Sequence, residues 1–166
     1  MGSPRRTRSG STQDTGPEPV CSIERTADLM GDRWTMLILR ETLLNRLERF
    51  ADLERVLGIA PNILTDRLTS LVAAGLLTKE EYRDPGLRAR FAYRPTQAGE
   101  DLKLVLAALQ QWGDDHVPPE GGVTVTRETA RDHRPVRLGF VDEGGTAYGL
   151  DEVAFVRTAA YPVAGV

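Results

Sequence analysis

Residues 50–75 read FADLERVLGIAPNILTDRLTSLVAAG, and this stretch decides the fold. Apolar side chains recur at helical spacing on both sides of Gly58, which predicts a short helix over residues 50–57 and a longer one over residues 61–74. Glycine suits the turn that ends the first helix, and proline at 61 suits the first turn of the second. Two helices joined by so tight a turn are typical of a helix-turn-helix.

The second of these helices is predicted to have one apolar face and one polar face. The apolar positions fall together at 100° per residue and are expected to pack inward; they are Leu64, Leu68, Leu71 and Val72. The opposite face carries short polar side chains near its N-terminal half, where a recognition helix approaches the base edges of DNA. The candidate contact residues on this helix are Pro61, Asn62, Thr65, Asp66, Arg67 and Thr69.

The chemistry of these side chains suits a nucleic-acid contact. Asn62 can make paired hydrogen bonds to adenine, and Thr65 and Thr69 can meet a phosphate or a thymine methyl group. Asp66 can accept a hydrogen bond from cytosine, or repel phosphate and so tune affinity. Arg67 lies at the edge of the packed face, where it could equally brace the fold through an internal acid or reach phosphate. A solvated helix surface is the alternative for the whole polar face.

A hairpin with a basic tip is predicted directly after these helices. Residues 76–82 and 91–95 have the pattern of strands, and Asp84-Pro85-Gly86 between them is a turn signal. The turn is flanked by Arg83, Arg88 and Arg90. These arginines are expected to clamp phosphate or enter the minor groove, although solubility of an edge hairpin is the alternative. The net charge of −3 does not exclude a DNA partner, because DNA binding depends on where the cations lie.

Three further helices are predicted around this unit. The first begins near Cys21 and ends at Gly31, and a central one over residues 34–44 is capped by Asp32. Thr96 can cap the last and longest helix, over residues 97–116. The predicted fold is therefore mainly α with a β-hairpin wing, which is a winged helix-turn-helix.

Composition divides the chain into three parts. Residues 1–19 are predicted to form a disordered basic arm, because they hold almost no aliphatic side chains. Residues 20–117 form the predicted winged helix-turn-helix. Residues 118–166 are predicted to form a small β-rich extension, with strands over 123–126, 136–141, 147–150 and 151–158 and a hairpin turn at 143–145. The extension could cover an effector pocket, extend a dimer or do neither.

Several classes of protein are disfavoured by the composition of the 166 residues. No apolar run approaches the roughly 20 residues of a membrane span, and the N-terminus lacks the apolar stretch of a secretory signal, so a cytoplasmic protein is expected. The single cysteine excludes an internal disulfide and a cysteine-based zinc site. No glycine-rich phosphate loop occurs, and His116 and His133 are the only imidazoles, so no enzyme, metal or cofactor is expected.

Several short segments follow one another in a recognisable order. They are CSIER at 21–25, GDRWT at 31–35, ILRE at 38–41, RFADL at 49–53, GIA at 58–60, LTDRL at 64–68, AGL at 74–76, and YRPT at 93–96 followed by Gly99. Together they resemble the HxlR-type winged helix-turn-helix regulators over about residues 21–116. The resemblance implies a bacterial transcriptional regulator that binds palindromic operators as a homodimer, and we expect a repressor of nearby genes.

The resemblance also implies that residues 20–117 carry the dimer interface, built by the first helix and the long last helix. The candidate interface residues are Ile23, Leu102, Val105, Leu106, Leu109 and Trp112. An apolar stripe on the last helix supports this, although such a stripe also suits ordinary core packing. The alternative function is a winged-helix protein-interaction module without sequence-specific DNA binding, since a fold does not determine a function.

Cys21 is a candidate sensor. Some HxlR-type regulators respond to oxidants or electrophiles through a cysteine near the start of the first helix, and Cys21 occupies that place, although Ser22 stands where the family often has proline. A helix N-terminus and Arg25 one turn later would favour the thiolate. The alternative is an inert, packed cysteine. A small-molecule effector is a further possibility that the sequence leaves open.

Overall fold

A computed structural model describes residues 21–83, 85–86 and 88–161, and the main elements within them are five α-helices and one long hairpin. The helices are α1 (Ser22–Met30), α2 (Arg33–Leu43), α3 (Phe50–Leu57), α4 (Pro61–Ala73) and α5 (Gln97–His116). Strands β1 (Leu77–Tyr82) and β2 (Arg90–Pro95) form the hairpin between α4 and α5. The predicted winged helix-turn-helix is therefore confirmed, while the predicted arm at 1–19 lies outside the described residues.

The helix ends lie where the sequence predicts them, because the capping groups act locally. Asp32 Oδ1 accepts hydrogen bonds from the backbone N–H groups of Trp34 (2.9 Å) and Thr35 (3.1 Å) at the start of α2. Thr96 Oγ1 accepts from the N–H of Gly99 (3.1 Å) at the start of α5. Gly58 ends α3 in the left-handed region with φ +60°, a conformation that side chains with a Cβ rarely adopt.

The core surrounds α2, as the apolar composition of that helix predicts. Its fully buried residues Ile38, Leu39 and Leu43 pack in one cluster with leucines from α3, α4, α5 and β1 and from the turn before β1. Those leucines are Leu53, Leu64, Leu68, Leu71, Leu76, Leu77 and Leu106. Because α3 and α4 both contribute to this cluster, the core joins both helices of the helix-turn-helix to α2.

The wing is an antiparallel hairpin that a third segment joins. Leu77 lies opposite Pro95 and Tyr82 opposite Arg90, so β1 and β2 pair along their full length. The connection between α2 and α3 adds a single bridge, between Arg49 and Ala92. In addition, the N–H of Tyr93 donates to the carbonyl of Glu48 (2.7 Å). One bridge leaves no alternating pattern in the sequence, so a strand pattern does not reveal this pairing.

The C-terminal extension holds less β structure than predicted. Its paired strands are two residues long, β3 (Phe140–Val141) and β4 (Ala147–Tyr148), and they close around the predicted turn, where the N–H of Asp142 donates to the carbonyl of Thr146 (3.0 Å). The strands predicted at 123–126 and 151–158 are wrong. No neighbouring strand is available to pair with them in the described part of the chain: the carbonyl of Val125 accepts instead from Gln110 Nε2 of α5 (2.8 Å), and Leu150–Glu152 is a 3-10 helix.

Polar side chains on α5 hold the extension in place. The amide of Gln111 donates to the carbonyl of Leu138 (3.0 Å) and accepts from its N–H (2.8 Å). Asp114 pairs with Arg127 (3.1 Å) and Asp115 with Arg137 (2.5 Å). The hydrogen bond from Arg137 holds the pKa of Asp115 below its usual value. One side of α5 is therefore covered by its own chain.

The apolar stripe of α5 divides between the core and the surface. Leu106 is only 8% exposed, so it has little surface left for a second copy, whereas Leu102 is partly buried against the core; the interface that the two were expected to join stays a prediction. Val105, Leu109 and Trp112 remain exposed, because they lie one step round the helix from the buried positions.

In the described residues, no helix is both long enough and apolar enough to cross a bilayer.

Candidate nucleic-acid interface

Helix α4 presents the two faces that the sequence predicts. Leu64, Leu68 and Leu71 are buried against the core. The residues predicted to contact DNA lie on the other side of the helix and are exposed; they are Pro61, Asn62, Thr65, Asp66 and Thr69. One polar surface on α4 therefore faces solvent, and we call these five residues the α4 polar face.

The threonine hydroxyl groups on this face donate their protons in a defined direction, to the helix backbone. Thr65 Oγ1 donates to the carbonyl of Pro61 and Thr69 Oγ1 to the carbonyl of Thr65, both at 2.8 Å. Because these protons are already donated to the helix backbone, each threonine offers its methyl group and its oxygen lone pairs to the outside. Such groups suit a thymine methyl group or a base amino group better than a phosphate, which accepts but does not donate.

The N-terminus of α4 is open to an anion. Ala60 is the N-cap residue and makes no side-chain hydrogen bond, and Pro61 occupies the first turn. The first N–H groups of the helix, including that of Asn62, therefore point outward with the positive end of the helix dipole. A phosphate of the DNA backbone fits that environment.

Arg67 braces the fold. Its Nε donates to Asp32 Oδ1 (2.9 Å) and its Nη2 to Asp32 Oδ2 (3.3 Å), so two nitrogens of the guanidinium bind the two oxygens of the carboxylate. The sequence leaves two alternatives for Arg67, and the structure shows the one in which the side chain braces the fold through an internal acid. Although burial opposes ionisation of Asp32, the N–H of Thr35 and the charge of Arg67 outweigh it and lower the pKa of the carboxyl group.

The wing arginines fall into two kinds. Arg83, Arg88 and Arg90 are exposed and form no ion pair with any described residue. Arg94, further down β2, binds Glu48 (2.8 Å) and Glu80 (2.5 Å), and these contacts raise the pKa of its guanidinium. The three arginines nearest the turn therefore present charge to the outside, while the fourth joins the wing to the connection before α3.

Two residues at the base of the wing were not singled out by the sequence. The Arg49 guanidinium lies over the ring of Tyr82, 4.8 Å from its centroid. Glu48 anchors Arg94 and accepts the N–H of Tyr93. Neither contact can be predicted from a short sequence pattern, because the partners are more than 30 positions apart in the sequence. They fix how the wing sits beside α3.

An apolar groove of about 450 Å³ runs between α1 and α5. It is lined by Ile23, Met30, Met36, Val105 and Leu109, together with small residues of α1. Ile23 is 78% exposed, and Trp112 next along α5 is 61% exposed. The exposed members of the predicted dimer interface thus lie on one continuous surface.

Cys21 is the N-cap residue of α1 and is partly exposed. It lines a cavity of about 520 Å³ whose other wall is the chain near its C-terminal end, at Thr158, Ala160 and Tyr161. The Arg25 guanidinium donates to Ser22 Oγ (3.2 Å), one residue from Cys21. The thiol is therefore accessible, and the last described residues of the extension lie beside it.

Comparisons with known proteins agree on the class of this chain. The family model of the HxlR-like helix-turn-helix matches residues 29–121. An HTH-type transcriptional regulator of Mycobacterium tuberculosis is 42% identical over 120 residues, which cover 70% of this chain and 73% of that protein. The structure of the transcription factor PA1607 superposes with a TM-score of 0.73 at 30% identity, over 85% of this chain and 97% of that one. The reduced form of the transcriptional regulator YodB from Bacillus subtilis superposes with a TM-score of 0.51 at 25% identity, over 61% of this chain and 97% of that one.

Replacing Asp32 should loosen α4 from α2. Asp32→Ala removes both the cap of α2 and the partner of Arg67, so we expect the free energy of unfolding at pH 7 to fall by about 1–3 kcal/mol. Urea denaturation followed by circular dichroism measures this. Asp28→Ala, at an exposed position of α1, is the matched control and should change little.

The effect of Asp32→Ala should depend on pH in a defined direction. The pKa of Asp32 is lower in the folded chain than in the unfolded one, so its contribution is present above the unfolded value of about 4 and is lost as the pH falls through the folded value. The difference in stability between the wild type and the variant should therefore shrink below about pH 4. A difference that grows with acidification would contradict the assigned role of the carboxylate.

Proposed function

Because the chain belongs to the HxlR-like helix-turn-helix family and is a bacterial transcriptional regulator, we propose that it binds palindromic operator DNA as a homodimer and represses nearby genes. A regulator of this family binds DNA and is not an enzyme. Because a regulator of this kind acts on chromosomal DNA, we infer that the protein is cytoplasmic. The observation that carries the proposal is the exposed α4 polar face beside the arginines of the wing.

In this proposal α4 enters the major groove. Asn62 makes paired hydrogen bonds to an adenine, and the outward methyl groups of Thr65 and Thr69 contact thymine methyl groups. Asp66 accepts from a cytosine amino group or repels the backbone when the register is wrong. The N-terminus of α4 at Pro61 binds a phosphate, which sets the depth of the helix in the groove.

The wing lies along the neighbouring backbone. Arg83, Arg88 and Arg90 bind phosphate or enter the minor groove, because they carry charge that no described residue neutralises. Arg67 contributes indirectly, since its ion pair with Asp32 holds α4 on α2. Phosphate contacts supply affinity for all duplexes, whereas the base contacts of α4 supply preference for the operator.

The dimer forms through the groove between α1 and α5. Ile23, Val105, Leu109 and Trp112 are exposed there, and a monomer in water gains by burying them. Residues 20–117 thus carry both DNA binding and dimerisation, and the described part of the extension, residues 118–161, covers a different side of α5. Two copies of α4 related by a twofold axis read the two halves of a palindrome.

Release from the operator follows modification of Cys21. Its thiolate adds to an electrophilic quinone, or the thiols of two protomers lose two electrons and two protons to an oxidant and form a disulfide. Its place beside Ile23 supports this role, because a modified Cys21 would lie at the edge of the proposed dimer surface.

The wing and α4 should respond differently to substitution. We expect Arg88→Ala to weaken binding to every duplex and to reduce the slope of log K against log salt by about 1, because one phosphate contact is lost. Asn62→Ala should instead relax preference at one base position in each half-site, at a cost of about 1–3 kcal/mol. Fluorescence anisotropy with operator and random duplexes measures both effects.

The control for the charge change is Arg131→Ala, at an exposed position of the extension, which should leave the salt slope unchanged. If Arg88→Ala and Asn62→Ala behave alike, the roles of wing and helix are wrongly assigned. Binding without salt dependence or sequence preference would favour the protein-interaction module instead.

The proposed dimer surface can be tested without disturbing the core. Ile23→Asp places a charge at an exposed position, so we expect a folded protein whose dimer dissociation constant rises by at least about 30-fold. Sedimentation velocity measures it. Leu104→Asp, at a comparably exposed position on another face of α5, should leave the dimer intact. An unchanged dimer with Ile23→Asp would place the interface elsewhere.

The sensing role predicts a loss of response. Cys21→Ser should bind the operator with wild-type affinity but should no longer be released by diamide or benzoquinone, because serine forms neither product. Band-shift assays with and without each reagent measure this. Release of the variant to the same extent as the wild type would end the idea that Cys21 is the sensor.

A further inference from the structure

A cavity of about 550 Å³ lies between α2, α5 and the beginning of the extension. Its walls are mainly apolar, from Met36, Leu37, Leu44, Leu106, Leu109 and Val125. Its polar lining residues are Arg40, Glu41, Asn45, Gln110 and Thr124. The hydrogen bond from Gln110 to the carbonyl of Val125 holds the extension over one side. The volume and the apolar walls fall in the range of small-molecule sites.

One buried carboxylate lines this cavity. Glu41 is only 3% exposed, whereas the side chain of Arg40, its ion-pair partner, is 47% exposed. Glu41 Oε1 accepts from Arg40 Nε (2.8 Å), and Glu41 Oε2 accepts from Asn45 Nδ2 (2.6 Å). Among the described residues that line the cavity, Arg40 and Glu41 are the charged ones.

Because Arg40 is far more exposed than Glu41, the pair favours a ligand of one charge over a ligand of the other. An anion would draw Arg40 away and leave Glu41 as a buried carboxylate without its counter-ion, which is costly. A cation would replace Arg40 at Glu41, and the displaced guanidinium would turn into water at little cost because half of it is already solvated. Of the two kinds of charged ligand, the cation is therefore the one that leaves the buried acid with a partner.

We propose that this cavity binds an organic cation with an apolar body, such as an aryl-alkyl amine. Its ammonium group donates to Glu41 Oε1 in place of Arg40, and its apolar body packs against the leucines and methionine of α2 and α5. The extension contributes Thr124 and Val125 to the wall, which gives residues 118–166 a role in forming the site.

The site is connected to the wing through the segment after α2. The carbonyl of Glu41 accepts from the N–H of Leu47 (3.0 Å), and the next residue, Glu48, binds Tyr93 and Arg94 of β2. A ligand that moves Glu41 therefore acts on the segment that holds the wing. This coupling to operator affinity rests on the proposed function, whereas binding of the amine does not.

Three probes with one apolar body test the charge preference on the full-length protein: 4-phenylbutylamine, 4-phenylbutanol and 4-phenylbutyrate. At pH 7 we expect the amine to bind at least about 10-fold more tightly than either of the others, by isothermal titration calorimetry. Arg40→Gln should tighten amine binding several-fold by removing the competing cation. Glu41→Gln should weaken it at least about 10-fold. Arg55→Gln, which removes an exposed arginine on α3 paired with Asp52, is the control and should change neither.

Tighter binding of the carboxylate, weaker amine binding in Arg40→Gln, or no binding of the amine would each overturn the site. Circular dichroism identifies a variant that fails to fold, and Arg40→Gln still decides the sign of the preference if Glu41→Gln is unstable. Operator affinity without any probe tests the proposed function separately. An amine that binds and leaves operator affinity unchanged overturns the coupling to the wing.

Discussion

The functional geometry depends on two contacts of the Asp32 carboxylate, the cap of α2 and the ion pair with Arg67. This carboxylate caps the start of α2 and accepts hydrogen bonds from two nitrogens of the Arg67 guanidinium, so one side chain joins the central helix to α4. The leucines of α4 would pack against the core over a range of rotations, because apolar contact has little directionality. The ion pair has direction, and it turns the α4 polar face outward.

Arginine serves two purposes in this fold, and position separates them. Arg67 and Arg94 bind acids of the chain and hold α4 and the wing in place. Arg83, Arg88 and Arg90 lie at the turn of the wing with no acid bound in the described part of the chain. A chain with a net charge of −3 can therefore present a basic surface, because acidic side chains are bound to the arginines that hold α4 and the wing in place.

Helix α5 has three surfaces with different partners. Leu106 packs in the core, Val105 and Leu109 line the groove beside α1, and Gln111 and Asp114 hold the extension. Polar contacts and ion pairs to α5 hold the extension, and its own β pairing is limited to two short strands. It also closes the cavity at Glu41, so the least regular part of the chain forms one wall of a binding site.

The helices, their caps and the hairpin can all be predicted from the sequence. Helical spacing, the carboxylate at 32, the hydroxyl at 96 and the glycine at 58 act within a few residues, so their effect is visible in a short stretch of sequence. The two faces of α4 can be predicted as well, because a helix repeats every 3.6 residues. Three features become visible in the folded chain alone: which member of the apolar stripe is core, that Arg67 binds Asp32, and that residues 123–126 lie against α5 instead of pairing as a strand. Each of these depends on a partner far away in the sequence, and local periodicity carries no information about what a side chain meets across the core.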